Sequence, residues 1–561
     1  MINATGFLPP QGFMDTLPDD FVRAARLRNG LSALFTSHGY AGIETPLIES
    51  HSLFQSGPSQ MPESRQWKTY APDGSILVIR PDNTTPAVRL ACARLTNLPP
   101  PIRLHYIQTV LRYPSMSAQA ASGVELRQAG VELLGETAPE ADAEVIALAI
   151  EAIRSSGLES FQIDIGQVGF FKGLMDEAGL TDTDAERMRA LVEAKNSLGI
   201  TLALRDAPVS SEGERSRIAS RLQTLPTLFG GIEALDEARR MSGHPRCRAA
   251  LDNLDAVYSL LRERGLERYL SIDLGMVQSI NYYTGIVFRG LTGHLGQPLL
   301  SGGRYDDLPA AMGRPMGAVG FAIELDQLLT ALGRENPDPG GGRVSVVQSE
   351  ADAPQVTLAV AKGRLALDTF ARLEAAGIDC GEARNPGRRL IVDDPTGRIR
   401  FMLVKPCDVP TYVDHGVADA GVAGKDTLME ENRPLYELLD LDIGKCRLCV
   451  AGNGERHREA LRAAAYRVAT KYPNIAREFF ARRGQPIEII ALGGSVELAP
   501  LVGLSDVILD IVESGGTLKA NGLSVLEEIC PVSARLVVNR VSLKTKTAAI
   551  RALVKALEVT Q

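Results

Sequence analysis

Residues 506–522 read DVILDIVESGGTLKANG, an apolar run that ends in acids and then in a cluster of small residues. Ser514, Gly515, Gly516 and Thr517 let successive backbone N–H groups face one point, a nest for a phosphate, and two hydroxyls add donors. Asp510 and Glu513 would repel phosphate, but carboxylates accept hydrogen bonds from the vicinal hydroxyls of a ribose. Together they point to a sugar phosphate; the bland alternative is a Gly-Gly turn with solvated acids. Further cations stand between strand-like runs and helix starts: Lys362 and Arg364, with Gly363 between them, in AKGRL, Lys425 in AGKD and Lys471 in ATKYP. Gathered at one sheet edge, these loops would hold a ligand with several phosphates. Taken singly, each cation reads equally well as a solvated surface residue. The GGSVE run at 493–497 has Glu497 where G-x-S-x-G requires its last glycine, so no hydrolase elbow is expected.

These loops need elements to present them. VTLAVA before Lys362, ADAGVAG before Lys425, YRVAT before Lys471, IEIIAL before GGS and DVILDIV before ESGGT alternate with amphipathic runs. That rhythm predicts parallel sheets covered by helices, with ligands at the carboxyl ends of strands. The earlier part of the chain reads differently. Residues 19–36 predict a helix, ILVIR (76–80), IRLHYIQTVLRY (102–113) and VELRQAGVELLG (124–135) predict strands, and 167–265 is mostly helical by pattern. Long antiparallel strands with helices to one side follow. Within it, GMVQSINYYTGIVF (275–288) sets Tyr282 and Tyr283 at a Thr-Gly turn, as core or as one wall of a pocket for a small ring-bearing ligand. Residues 333–354, GRENPDPGGGRVSVVQSEADAP, cannot bury enough apolar surface to offset their ordering entropy and read as a linker.

Composition narrows the classes. A chain of 561 residues with 45% apolar and 23% charged residues is globular in make-up, and at roughly 100–200 residues per domain it holds several units. No apolar run approaches the ~18 residues of a membrane-spanning helix. The start, MINATGFLPPQGFMD, lacks the features of a secretory signal, so the cytoplasm is the expected compartment. Seven widely spaced cysteines suggest reduced thiols. The tight pair Cys446 and Cys449 lies in an alternating run, where residues three apart face opposite ways, which favours a structural role. The seven histidines show no zinc spacing, and a net charge of −8 disfavours a general nucleic-acid binder.

From VTLAVAKGRLALDTF through RVATKYPNIAREFF and DVILDIVESGGTLKANGL to ARLVVNRVSLK, residues 355–561 resemble the short form of ATP phosphoribosyltransferase. The resemblance implies the first reaction of histidine biosynthesis: adenine N1 of ATP attacks the anomeric carbon of phosphoribosyl pyrophosphate, and Mg2+-bound pyrophosphate leaves. It also implies two α/β lobes of periplasmic-binding-protein type, about 355–447 plus 532–561 and 448–531, with the active site between them. By analogy, Asp510 and Glu513 hold the ribose hydroxyls and Ser514, Gly515, Gly516 and Thr517 the 5′-phosphate, while Lys362, Gly363, Arg364, Lys425 and Lys471 are candidates for ATP or pyrophosphate. No catalytic triad is expected, since a ring nitrogen and a good leaving group need mainly positioning and charge stabilisation. Lys362, Arg364 and Lys471 would supply that charge, and the metal comes with the substrate rather than from protein ligands. The long form's C-terminal regulatory domain is not expected, because the sequence ends about one helix after VVNRVSLK.

VIRPDNTTPAVRLACARL (78–95), YIQTVLRYP (106–114), ELRQAGVELLG (125–135) and SGGRYDDLPAAMGRPMGAVGFAIELDQL (301–328) resemble the class II core of histidyl-tRNA synthetase, and more closely its paralogue, the regulatory subunit of short-form ATP phosphoribosyltransferase. Gln128 and Glu132, four apart on one strand face, can both address an imidazole or an amino group. The resemblance sets Asp82 and Thr84 at the α-amino position and Arg112 at the motif-2 position, with Tyr282 and Tyr283 completing the wall. Two activating arginines are replaced, by Gln278 and Gln327, and a neutral amide supplies neither the charge nor the fork of Arg. Amino-acid activation is therefore not expected, while binding is.

The combined expectation is a multidomain α+β and α/β chain: a class II synthetase-like regulatory domain at 1–332, a linker at 333–354 and a two-lobed transferase at 355–561. Its expected function is phosphoribosyl transfer to ATP with feedback inhibition by histidine, in a homo-oligomer, dimer or tetramer. A histidine- or tRNA-binding synthetase-like protein is the alternative.

Overall fold

The runs Ile102–Leu111 and Glu125–Leu134 pair antiparallel along their whole length, from Ile102 opposite Leu134 to Leu111 opposite Glu125. Period-two alternation splits the second strand between two environments. Ala129, Val131 and Leu133 enter a core with Phe35 of the helix Pro18–Ser37 and with Ile146, Ile150 and Ile153 of Pro139–Ser155. Those three isoleucines, at helical spacing and wholly buried, each contribute about 1.5–3 kcal/mol. The opposite face carries Gln128 and Glu132, and beside them Leu104 and Leu134 pack on Val88 and Ala91 of the helix Thr84–Arg94.

The computed structural model describes residues 9–10, 12–55, 57–112, 124–193, 196–206, 211–277, 283–335, 356–454 and 466–558. Gln278, Tyr282, residues 336–354 of the expected linker and the side chain of Arg364 lie outside the described residues. The chain forms two units, Met1–Val346 and Val347–Gln561. Residues 333–335, which composition assigns to the linker, finish the helix Leu325–Glu335 instead. The Glu335 carboxylate accepts the backbone N–H groups of Glu159 and Ser160 at 3.1 and 2.9 Å, which extends order past Gly333.

In the first unit a nine-stranded sheet runs in the order Ala41–Gly42, Ile102–Leu111, Glu125–Leu134, Ala318–Glu324, Leu300–Arg304, Ile286–Leu291, Gln162–Gln167, Leu270–Asp273, Phe229–Gly230. Pairing is antiparallel except for Ala41–Gly42 on Ile102–Leu111 and Gln162–Gln167 on Leu270–Asp273. The helix-rich stretch runs from Val168–Ala178 to Pro245–Glu263.

The second unit has two sheets. One is ordered Ile391–Asp393, Ile399–Val404, Val356–Ala361, Ala420–Gly424, Ala534–Val538, Tyr436–Asp440, the other Ile487–Ala491, Tyr466–Thr470, Val507–Val512, Cys446–Gly452, Ser524–Val532. The sequence predicts parallel sheets; both are mixed. Parallel centres are flanked by the antiparallel strands Ala534–Val538 and Cys446–Gly452. The reason is connectivity: the chain enters the second lobe after Asp440 and returns after Val532, and these strands have no crossover helix to make them parallel. Asp440 ties the two crossings, accepting from Ser533 Oγ and pairing with Arg535, both at 2.7 Å. Cys446 and Cys449 pack into different core clusters on the two faces of one strand, as free thiols. Among the described residues no helix is long and apolar enough to cross a membrane.

Candidate functional site

The buried strand Val507–Val512 leaves its sheet at Glu513, turns through Ser514 and Gly515, and opens the short helix Gly516–Ala520. Gly515 has φ +74°, a left-handed conformation that costs other residues about 1–2 kcal/mol. The Gly516 N–H points to Ser514 Oγ at 3.4 Å. A cavity of about 390 Å³ opens on this turn, lined by Asp510, Glu513, Ser514, Gly515, Gly516 and Thr517 together with Gly444, Lys445, Cys446 and Glu497. Glu513, Ser514 and Thr517 are exposed, whereas Asp510 is 7% exposed. Burial pushes the Asp510 carboxyl above the ordinary carboxylate range, offset by the Ile511 N–H and by Lys471.

Lys471 is exposed at the carboxyl end of Tyr466–Thr470, beside Asp510 on the neighbouring parallel strand. Thr470 fixes the turn, donating to Leu509 O at 2.6 Å and accepting the Tyr472 N–H at 2.8 Å. Lys362 and Gly363, also exposed, link Val356–Ala361 to the helix Arg364–Ala375. The first turn of that helix approaches Gly444 of the cavity wall, where an added Cβ would lie 3.3 Å from the Leu365 side chain. Lys425 departs from expectation. It stands where predicted, between Ala420–Gly424 and a helix, but it is 3% exposed and its ammonium lies 2.6 Å from Glu437. Its charge is already paired with a carboxylate, so it is not a phosphate contact in this arrangement.

In the first unit, Glu132 is wholly buried, and its oxygens accept from the hydroxyls of Tyr106, at 3.0 Å, and Tyr305. Thr84 Oγ1 lies 3.5 Å from the Tyr106 hydroxyl. Gln128 accepts from Asn83 Nδ2 at 3.1 Å and donates to Glu324 Oε1 at 2.9 Å; Arg112 reaches the same oxygen at 3.4 Å. Asp82 accepts the Thr85 N–H at 2.8 Å. Burial pushes the Glu132 carboxyl up to about 8; it raises Asp82 too, with Arg112 pulling the other way. Thus Asp82, Thr84, Arg112, Gln128 and Glu132 form one cluster. Tyr283 is buried beside Tyr305 in a core cluster, so the described tyrosine of the pair packs as core. Gln327 is half-buried in Leu325–Glu335. Two glycines make room for the network. Gly320 faces Glu132 across the sheet, where a Cβ would come within 2.0 Å of Glu132 Oε2, and a Cβ on Gly130 would meet the Tyr106 hydroxyl at 2.6 Å. Asn83 Oδ1 and Glu324 Oε2 are buried acceptors with no hydrogen-bond partner among the described residues.

The profile of the histidyl-tRNA synthetase family matches residues 12–328, and that of ATP phosphoribosyltransferase matches 405–559. Over 326 residues, 58% of this chain and 76% of the relative, the sequence is 39% identical to the ATP phosphoribosyltransferase regulatory subunit of Acetivibrio thermocellus. Over 204 residues, 36% of this chain and 95% of the relative, it is 53% identical to the ATP phosphoribosyltransferase of Lachnoclostridium phytofermentans. The chain belongs to the ATP phosphoribosyltransferase family. A regulatory part, built on a class II synthetase-like core, and a catalytic part share its polypeptide. A crystal structure of an ATP phosphoribosyltransferase regulatory subunit/histidyl-tRNA synthetase from Bacillus halodurans C superposes with a TM-score of 0.53 at 30% identity, covering 71% of this chain and 93% of that one.

Several residues of the two candidate sites of this ATP phosphoribosyltransferase escaped sequence reasoning. Glu497 and Lys445 line the cavity, yet each sits in a turn with no motif of its own. Tyr106, Tyr305, Asn83 and Glu324 complete the first-unit network from other elements. A signal existed for two of them: Tyr106 pairs with Gly130, and Glu324 with Gln128, once strand register is known.

Proposed function

We propose that the second unit transfers the 5-phosphoribosyl group of phosphoribosyl pyrophosphate to N1 of ATP, the first step of histidine biosynthesis. The observation that carries this reading is the single cavity wall shared by Asp510, Glu513 and residues 514–517. Asp510 and Glu513 accept the ribose hydroxyls, and the backbone N–H groups and hydroxyls of Ser514, Gly515, Gly516 and Thr517 receive the 5′-phosphate. The N1–C1′ bond forms as the C1′–O bond to pyrophosphate breaks, and the electron pair leaves with pyrophosphate. Mg2+ enters as part of the substrate, bound to that leaving group. Lys471 and Lys362, exposed at the strand ends, and Arg364 with Gly363 in the same loop, stabilise triphosphate or pyrophosphate charge. Incubating the full chain with both substrates and following N1-(5-phosphoribosyl)-ATP tests the assignment; Glu513→Ala with undiminished transfer would sink the loop's role.

The regulatory domain, assigned to 1–332, is read as the histidine sensor. Asp82, Thr84, Arg112, Gln128 and Glu132 recognise the inhibitor, with Tyr282 as the proposed wall and Tyr283 packed in the core. Support comes from the acceptor oxygens of Asn83 and Glu324 that have no donor among the described residues, since histidine brings N–H groups. A cationic amino group would also favour the ionised form of the Glu132 carboxyl, which burial holds protonated. Coupling to the transferase is of the usual allosteric size, about 1–3 kcal/mol. The measurement is turnover with and without histidine, in the parent and in Glu132→Ala; equal inhibition of both removes the pocket from the account. A homo-oligomer, dimer or tetramer, is supported by exposed Leu17, Phe21, Val22, Leu47 and Ile48 in the first unit, and light scattering gives its mass. Free thiols at the described cysteines suit a cytoplasmic location.

A further inference from the structure

Lys425, excluded from phosphate contact by its pairing with Glu437, opens a helix, Lys425–Glu431, that is anchored in the first lobe and reaches the second. The anchor is double, because the Lys425 N–H also donates to Ser533 O at 3.0 Å. From the next residue of this helix, Asp426 Oδ2 accepts the Tyr472 hydroxyl at 2.7 Å. One turn on, the Glu430 carboxylate accepts the Asn474 N–H at 3.0 and 3.1 Å and the Ile475 N–H at 3.1 Å, while Asn474 Nδ2 donates to Glu430 O at 3.1 Å. Met429 packs against the core of the second sheet between them.

All these contacts close on one turn. Tyr472 follows Lys471, and Asn474 and Ile475 lie in the first turn of the helix Pro473–Ala481, whose orphan N–H groups need acceptors. We infer that Asp426 and Glu430 are positioning residues for phosphoribosyl transfer, holding from the first lobe the second-lobe turn that aims Lys471 at the substrate phosphates. This rests on the reading of Lys471 as a charge-stabilising contact. Lysine is a point charge on a flexible stem, so its reach is set by where its backbone is held. Thr470 fixes one side of that turn to the Val507–Val512 strand, and the first lobe fixes the other. The clasp thereby joins both lobes at the turn that carries Lys471, beside Asp510 of the cavity wall.

The test is steady-state turnover of ATP and phosphoribosyl pyrophosphate by the full-length chain, with thermal unfolding read for every variant. Glu430→Ala lowers kcat/KM about tenfold, chiefly through kcat, as expected for loss of charge-assisted hydrogen bonds. Glu430→Gln, which keeps an acceptor oxygen, recovers most of that loss. The double variant Glu430→Ala, Lys471→Ala is no slower than Lys471→Ala alone, because the clasp acts through that lysine. Tyr472→Phe, which removes one hydroxyl and keeps the ring, lowers kcat in the same direction and serves if Glu430→Ala does not fold. Multiplicative losses in the double variant, or Gln behaving like Ala, overturn the clasp while leaving the transferase reading intact. An inactive parent chain removes the proposal together with the reading beneath it.

Discussion

Glu132 is wholly buried with both oxygens taken by tyrosine hydroxyls, whereas Glu513 stands exposed at a cavity of about 390 Å³. The same side chain thus serves two candidate sites under opposite solvation. A pocket that recognises a small amino acid gains from a prebuilt, dry network, since each unpaired polar group left inside costs about 1–3 kcal/mol and discriminates against poor fits. A loop that receives phosphates keeps its donors and Glu513 in water until the anions arrive, because burying them unpaired would cost far more, while Asp510 at the strand end is buried with the Ile511 N–H as its partner. The candidate phosphate loop is accordingly built from small residues and a left-handed glycine, and the candidate histidine network from aromatic hydroxyls and cross-strand pairs.

The contrast can be broken at either end. The largest effect is expected from Glu513→Ala, where kcat/KM for phosphoribosyl pyrophosphate falls about 100–1,000-fold while histidine affinity, read by calorimetry, holds. Next comes Glu132→Ala, which weakens inhibition by histidine some tens of fold, roughly the loss of one buried charged hydrogen bond; a dose–response curve of turnover measures it. Third, Gly320→Ala drives a methyl into Glu132 and costs about 1–3 kcal/mol in denaturant unfolding, whereas Gly516→Ala, whose Cβ meets only Ser514 Oγ at 3.5 Å, stays within about 0.5 kcal/mol. Last is a pH slope, read over a single pH unit. The Glu132 carboxyl is raised from 4.5 to about 8, so between those values the unfolded chain has released a proton that the folded chain retains. Stability attributable to this group is full below about 4.5 and declines as pH rises toward about 8, by about 1.4 kcal/mol per unit. Glu132→Gln should lose that slope between pH 6 and 7.

How much was legible in the sequence follows the same division. Asp510 through Thr517 lie within one strand end and its turn, so motif and geometry coincide. Gln128 and Glu132 were readable from period two alone. Their partners Tyr106, Tyr305 and Glu324 come from other strands or turns, and register is not written in any one segment. Lys425 stands at the strand end the sequence predicts, but its pairing with Glu437 was not legible, because a lysine there looks the same whether it faces phosphate or a carboxylate. Mixed rather than parallel sheets escaped because βα rhythm gives no notice of a chain that crosses to another lobe and returns.

That return has a consequence for how the molecule is made. The strand Ala534–Val538 lies between Ala420–Gly424 and Tyr436–Asp440 and pairs with both. Until the ribosome has released it, Tyr436–Asp440 has no neighbour in its sheet, although most of that lobe was synthesised long before. The strands from Cys446 to Val532 are contiguous and can close as soon as they emerge. Synthesis therefore favours the second sheet maturing first and the first sheet last, with its long-range pairing the slow step. Translation that stops short of Ala534 leaves an open strand edge, the kind of surface that invites pairing with a neighbouring nascent chain.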